Sequence, residues 1–349
     1  MGRPAEKTET KLPMMDETWF YVAFGLNFKA NRPIPGLIPL KEPATVEAEV
    51  CLDGFPPWLR RLLSETKDLW FVSPWSYRGD EPFSRVWRVA GGDYVWLSYG
   101  DGAEFVVNRA GTRVWAQAPE AATPEYMATY LLRQVFGIVL RLQGITCLHG
   151  SAIAVDQRAL ALLGHSAAGK STAAAAFARL GFPVLTDDIT AFREEGGSFM
   201  VSPGEPAVSL WAESVTHLCG SPEALPLIIP DNVLMPEWDK RCLDLTAPGY
   251  RFQSQPLPLG GIYILGERCE DADPVVEILN GREALLALLS HAYARDLLDQ
   301  SMQAQEFAAL SRVLDTVPVR RVIRRAGLEY LSESCEMILE DFYLLGHPA

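Results

Sequence analysis

The sequence predicts an α/β protein in which a β-rich N-terminal region precedes a mixed core built around a glycine loop. Three observations carry that prediction. Short strand-like runs separated by glycines fill residues 16–118. The aliphatic run 159–163 passes directly into Gly164-His165-Ser166-Ala167-Ala168-Gly169-Lys170-Ser171-Thr172, a helix over 170–180 follows, and a further strand starts at Val184. Beyond residue 280 the pattern is mostly helical, with a late strand at 318–323. Strand, loop, helix and strand in close succession are what an α/β layer requires.

Taken in order, residues 1–15 are polar and mixed in charge, without the apolar stretch of a secretory signal, and are expected to form a flexible N-terminus. Residues 16–120 are expected to form a β-rich domain. Runs 19–23 and 94–98 are rich in aromatic and β-branched residues, and 105–107 and 113–115 flank Gly111 as a hairpin. A third domain, 121–349, is expected to carry the loop and a helical C-terminal part. It opens with Thr123 as a helix cap and Pro124 at the first helical position. That helix runs to about Leu142, stops near Gly144, and sets Tyr126, Met127, Tyr130, Leu131 and Ile138 on a face suited to core packing. Residues 151–155 read as a strand, Asp156-Gln157-Arg158 as a turn, and 159–163 as a buried strand. Residues 202–260 hold many prolines and little periodicity, which suggests substrate-facing loops or a flap. Runs 261–265 and 274–278 return to strand character.

Bulk properties exclude several classes. The chain has 349 residues, 48% of them hydrophobic and 21% charged, so it can bury a sizeable core. A net charge of −13 argues against nucleic acid as a partner, because phosphate backbones are met by basic surfaces. The acidity serves solubility or, on a second reading, a basic peptide partner. The six cysteines are scattered and form no CxxC pair, so a disulfide framework is not expected and reduced cytoplasmic thiols are the simplest account. The apolar stretch 126–142 carries Arg133, Gln134 and Arg141 and is too short and charged to span a bilayer. A cytoplasmic protein without a membrane partner is the expectation.

The loop satisfies GxxxxGK[ST], and chemistry explains each residue type. Gly164 and Gly169 let the backbone turn so that successive N–H groups, from His165 to Thr172, point at phosphate oxygens. Lys170 supplies a point charge for the terminal phosphates, and the Ser171 hydroxyl is placed to ligate Mg²⁺. The helix that starts there adds the positive end of its dipole. ATP with Mg²⁺ is therefore the expected ligand pair.

Asp187-Asp188 follow the strand 184–186. Two adjacent carboxylates at a strand end can divide two tasks, holding Mg²⁺ and accepting a proton from an attacking hydroxyl. Read alone, such a pair favours a solvated turn; beside the glycine loop it favours function. His149 precedes the strand 151–155 and is a candidate for the reacting centre or for packing; His217, His291 and His347 show no metal-ligand spacing.

In these residues the chain resembles the HPr kinase/phosphorylase family, which shares a P-loop core with phosphoenolpyruvate carboxykinases. The shared pattern is Leu148-His149-Gly150-Ser151, then Gly164 to Thr172, then Thr186-Asp187-Asp188. The resemblance implies a serine kinase in which Asp187 is the general base, Asp188 and Ser171 serve Mg²⁺, Lys170 and the loop hold the phosphates, and His149 lies near the reacting groups. It also implies a homo-oligomer. It covers 145–200 well and 200–330 loosely. The chain departs from the family at Ala167, where a glycine is usual, in lacking a Glu-Ile-Arg-Gly-like segment, and in its N-terminal region. The layout is closer to HPr-kinase-like proteins of peptide natural-product clusters, lasso peptide pathways among them, to which Pro203-Gly204-Glu205-Pro206, Leu210-Trp211 and 240–245 are also similar. The resemblance therefore implies a peptide or small-protein substrate carrying an acceptor serine. A small-molecule kinase on the same core, and a nucleotide-binding regulatory protein without transfer, are the competing readings.

Overall fold

In a computed structural model of the chain, residues 18–41, 45–65, 67–270 and 273–345 are described. The expected flexible segment 1–15 and His347 lie outside them. The architecture is mixed α/β, with two eight-stranded sheets.

The first sheet comes from β1 (Trp19–Ala23), β2 (Leu26–Ala30), β3 (Ala48–Cys51), β4 (Lys67–Val72), β7 (Ser84–Val89), β8 (Tyr94–Tyr99), β9 (Glu104–Asn108) and β10 (Arg113–Gln117), with a small separate hairpin of β5 (Ser76–Arg78) and β6 (Glu81–Pro82). Its strand order is β1-β2-β3-β10-β9-β8-β7-β4. The hairpin predicted around Gly111 is β9–β10, antiparallel with Val114 opposite Val107. Alternation gives the sheet two apolar faces. Val106 and Trp115 pack on a short helix, α1 (Pro57–Ser64), through Phe55, Leu59 and Leu63. Val95, Leu97, Phe105, Val107 and Val114 face the helix that starts at Pro124.

That helix has Thr123 as its cap, with Oγ1 accepting from the Tyr126 N–H at 3.2 Å, as the sequence predicts. It is not uniform. α2 (Pro124–Tyr130) passes into a π-helical turn, Leu131–Val135, before α3 (Phe136–Leu142). A single π turn inserts one residue into the helical ladder and re-aims the side chains within it. Arg133 and Gln134 are the polar residues in this turn.

The second sheet holds β11 (Thr146–Val155), β12 (Arg158–Leu163), β13 (Val184–Thr186), β14 (Ile189–Glu195), β15 (Ser198–Val201), β18 (Leu257–Cys269), β19 (Val275–Ile278) and β20 (Val319–Arg325); β16 (Ala207–Leu210) and β17 (Arg241–Asp244) pair apart from it. β12, β18 and β20 are parallel neighbours, with β11 antiparallel to β12 and β13 antiparallel to β11. β12 and β13 therefore run in the same direction. Their C-terminal ends, which carry the glycine loop and the two aspartates, open on the same edge of the sheet. The β11–β12 turn uses Asp156 and Gln157 at φ 47° and 61°, the doubly left-handed conformation of a two-residue hairpin.

Both faces of this sheet are covered. Ile153, Val155, Leu160 and Leu162 pack with α4 (Lys170–Arg179) and the C-terminal helix α8 (Leu331–Leu345). The alternate residues Ala152, Ala154, Ala159, Ala161 and Leu163 face α6 (Gly281–Ser290) and α7 (Gln300–Thr316). α4 is buried almost all round, which its run of alanines permits: alanine is the best helix former and lets the helix lie close on the strands. The segment 202–260, expected as loops, also contains β16, β17 and a helix, α5 (Ala212–Cys219). Among the described residues no helix is long and apolar enough to cross a membrane.

Candidate active site

The glycine loop joins the end of β12 to the first turn of α4. Gly169 caps α4 at φ 93°, a left-handed conformation, and a Cβ there would stand 2.8 Å from the Arg268 guanidinium. Ala167 also lies left-handed, at φ 62°. This is the position where the sequence departs from the usual glycine, so the loop keeps its turn and alanine bears about 1–2 kcal/mol of local strain. The Lys170 ammonium is buried and donates to the carbonyls of Gly164 at 2.9 Å and His165 at 3.0 Å, inside the loop's own curve. Burial lowers its pKa, with Asp188 and Asp187 pulling the other way. Beneath the loop, Arg324 donates to the Ala168 carbonyl at 2.9 Å and to Gly266 at 3.3 Å. Burial, then the neighbouring Arg268, brings its pKa down to about 10.

The two aspartates are in different environments. Asp187 is 2% exposed. Its Oδ1 accepts from Ser151 at 2.6 Å and from Ser171 at 2.9 Å, and its Oδ2 from the Ser209 N–H at 3.1 Å. Burial and the adjacent Asp188 raise its pKa despite those bonds. Asp188 stands at φ 64°, which turns its side chain away from that of Asp187. Its carboxylate is 3.5 Å from Arg133 Nη1, and Arg133 Nη2 donates to Glu205 at 3.1 Å. Burial pushes the Asp188 pKa up, but Arg133, then Lys240, His149 and Lys170, outweigh it and hold the pKa below the usual value. Asp188 therefore stays ionised.

His149 accompanies the pair. Its Nδ1 lies 3.1 Å from the Asp188 carbonyl oxygen, its backbone N–H donates to the His291 carbonyl, and burial, then Lys170, lowers its pKa. His149, Lys170, Ser171, Asp188, Trp211 and Lys240 all line one cleft of about 360 Å³. The structure thus brings together the loop, the aspartates and His149, which lie 39 residues apart at most among their recorded bonds. Sequence reasoning gave the base to Asp187 and the metal to Asp188; in the structure it is Asp187 that bonds Ser171, while Asp188 lines the cleft. Arg133 was read only as a charge within an apolar stretch. Ser151, Ser209 and His291 carried no signal of their own. Glu205 and Trp211 were visible only within wider segments, whereas the sequence offers basic Lys240 and Arg241 as contacts for phosphate or substrate or as a solvated loop, and the structure puts Lys240 in the cleft lining.

The residues fit a magnesium nucleotide. Ser171 and Asp187 offer hard oxygen donors side by side, the chemistry Mg²⁺ selects, and Lys170 occupies its loop through carbonyl bonds that an anion can replace. Among the described residues no group of three or more His, Cys, Asp and Glu is placed to hold a metal ion.

No family model matches the chain, and no curated protein sequence does. Among solved structures, the Hpr(Ser) kinase/phosphatase from Coxiella burnetii matches with a TM-score of 0.31 and 9% identity, over 58% of this chain and 99% of that one. At that score the superposition is too loose to transfer a role to any residue, and the chemistry below rests on the geometry of the site itself.

Proposed function

We propose that the protein is a Mg·ATP-dependent phosphotransferase that moves the γ-phosphoryl group to a hydroxyl, and that the acceptor is a serine of a peptide or small protein. The observation that carries this reading is the second carboxylate. A nucleotide-binding protein needs the loop, Lys170 and a metal-side acid. It has no need of an ionised Asp188 that lines the cleft and is held by an arginine whose side chain is 11% exposed.

The work divides as follows. The loop amides and Lys170 hold the phosphates and offset their charge. Ser171 and Asp187, whose oxygens lie side by side, are the residues that would hold the metal. Mg²⁺, when bound, screens the phosphate charge and fixes the geometry for in-line displacement. Asp188 accepts the acceptor hydroxyl's proton, and Arg133, backed by Glu205, positions it. His149, neutral because buried, stands against the Asp188 backbone and keeps the cleft wall in place. The peptide acceptor, including a lasso-type precursor, and a homo-oligomer follow from the motif resemblance rather than from the cleft, and a cytoplasmic setting follows from the scattered cysteines.

Intact-mass spectrometry of short serine-containing peptides incubated with the protein and Mg·ATP tests this. The expected result is a gain of one phosphate on a serine, abolished in Lys170→Ala. ATP binding with no phosphorylated peptide would overturn the peptide-kinase reading in favour of a small-molecule acceptor or a regulatory switch.

A further inference from the structure

A second cavity of about 430 Å³ adjoins the phosphate cleft and shares one wall with it, the indole of Trp211. Trp211 is 46% exposed. On the cleft side, Lys240 Nζ sits 5.2 Å from its ring centre, and on the far side Trp238 meets it edge-on at 6.5 Å. The cavity continues along Tyr77, Phe83, Met235 and Trp238. Four of its ten lining residues come from the N-terminal part of the chain, Ser76, Tyr77 and Arg78 in β5 and Phe83 just after β6.

The cavity is built rather than incidental. Tyr77 Oη donates to the Leu234 carbonyl at 2.5 Å, and Arg78 donates to the same oxygen at 3.1 Å. Asn232 brackets Met235 from both sides, donating to its carbonyl at 2.7 Å and accepting from its N–H at 3.0 Å. The Trp238 N–H donates to the Met235 carbonyl at 3.0 Å. These bonds fix the turn that presents Met235 and Trp238. At the hairpin's edge Trp75 is 75% exposed, so the aromatic surface continues outward. Two tryptophans, a tyrosine, a phenylalanine and a methionine form walls for a flat or bulky apolar group.

We infer that this cavity is the specificity pocket of the acceptor. It takes an aromatic or large aliphatic side chain of the peptide that carries the acceptor hydroxyl, a few residues from that hydroxyl. The inference rests on the phosphotransfer reading above and adds to it a substrate class. Continuity decides the occupant: the wall common to both cavities is Trp211, and Trp211 follows the strand whose Ser209 N–H holds Asp187. A chain whose hydroxyl lies at Asp188 thus has this pocket as its apolar neighbour. The nucleoside has a separate place beside the loop, toward Arg268 and Leu328, on the opposite flank of β12 from the aspartates.

The test is a serine peptide library with each residue type varied at every flanking position, incubated with the full chain and Mg·ATP and read by mass. Expected is a preference for Trp, Phe, Tyr, Leu or Met at one fixed position, with KM lower than for alanine there by about tenfold or more. Trp238→Ala, and Ser76→Trp, which fills the pocket from the exposed hairpin without removing core packing, should both erase the preference. Both should leave kcat on the alanine peptide and the Kd for ATP, measured by calorimetry, unchanged. A flat preference in the wild type, or a raised Kd for ATP in either variant, overturns the pocket assignment. If no peptide is phosphorylated, the same library is arrayed and probed with labelled protein and a non-hydrolysable ATP analogue. Retention on aromatic peptides that both variants lose then supports the pocket without the transfer, and no retention overturns it.

Discussion

The division of labour between Asp187 and Asp188 can be separated by two isosteric substitutions. Asp188→Asn removes the cleft-facing charge while Arg133 keeps its bond to Glu205. Loss of a general base lowers transfer by about 10²–10⁴-fold, equivalent to about 3–5 kcal/mol of barrier. Neither the loop nor Ser171 is disturbed, so ATP affinity and the Mg²⁺ concentration for half-maximal rate should stay at wild-type values. Asp187→Asn acts differently. Both its oxygens accept hydrogen bonds from buried partners, Ser151 and Ser171 on one and the Ser209 N–H on the other. An amide NH₂ must face one of those donors. A serine hydroxyl can rotate and the Ser209 N–H cannot, so the amide nitrogen turns toward the serines and disorders Ser171. The metal then loses a ligand's support, which costs about 10–100-fold in affinity. Folding stability should fall only modestly, because the lost bonds, about 1–3 kcal/mol, are offset by removal of a buried charge beside Asp188. Single-turnover transfer measured across a Mg²⁺ titration reads both effects. The expected result is a rate for Asp187→Asn that recovers as Mg²⁺ is raised, and a rate for Asp188→Asn that does not. Normal turnover in Asp188→Asn, or loss in Asp187→Asn with an unmoved Mg²⁺ midpoint, would refute this assignment and return the base to Asp187.

Other substitutions probe the surroundings of the site. Arg133→Met removes the strongest influence holding the Asp188 pKa down, so the acid limb of kcat/KM against pH should move to higher pH, with partial return in Arg133→Lys; an unmoved limb would sever Arg133 from Asp188. Arg141 and Glu306 form an ion pair with side chains 5% and 2% exposed, so Glu306→Ala should cost about 3–5 kcal/mol in urea unfolding through the cation left buried, whereas replacing both by Met and Leu should be neutral or stabilising. His291 is held neutral, its pKa lowered to about 4 by burial and then by His165. The unfolded chain therefore binds more protons between about pH 6.5 and pH 4, and stability from this group is full above that window and lost as pH falls through it. His291→Gln should flatten that part of the stability profile relative to wild type, and parallel profiles would remove the histidine from the account.

The features legible in the sequence were those carried by neighbouring residues. The cap at Thr123, the turn at Asp156-Gln157, the strand entering Gly164 and the helix leaving Lys170 each depend on a few consecutive side chains, and the structure has each where the sequence puts it. What stayed hidden depends on distant partners. The π turn at Leu131–Val135 looks like an ordinary helix in pattern, because hydrophobic periodicity hardly changes over one inserted residue. Glu205 is 72 residues from the arginine it binds. α5 was hidden because prolines on both sides of it read as loop, although Ala212–Cys219 is free of them. The surroundings of the two aspartates also could not be read locally. Which carboxylate meets Ser171 depends on the left-handed φ of Asp188, and no motif encodes that.

The same long-range dependence bears on whether the β-rich region is an appendage. The turn between β1 and β2, Phe24-Gly25, reaches the segment that carries Glu205: the Phe24 N–H donates to the Pro203 carbonyl at 2.6 Å. Gly204 passes between that turn and the aspartates so closely that a Cβ would stand 2.4 Å from Thr186 Oγ1 and 2.7 Å from the Phe24 ring. Glu205 then meets Arg133, which holds Asp188. The helix bearing Arg133 buries Met127, Leu131, Leu132, Val135, Phe136 and Val139 in the same core as Val95, Phe105 and Val114 of the first sheet. At about 1.5–3 kcal/mol for each large apolar side chain, exposing all six costs about 9–18 kcal/mol, as much as the ~5–15 kcal/mol by which a domain is stable. A fragment of residues 121–349 should therefore unfold or aggregate when expressed alone, and should regain solubility and ATP binding when residues 1–120 are co-expressed. A soluble, cooperatively melting 121–349 fragment that binds Mg·ATP as tightly as the full chain would show the sheet to be dispensable. In that case Asp188 would need a different support from the one traced here through Phe24, Glu205 and Arg133.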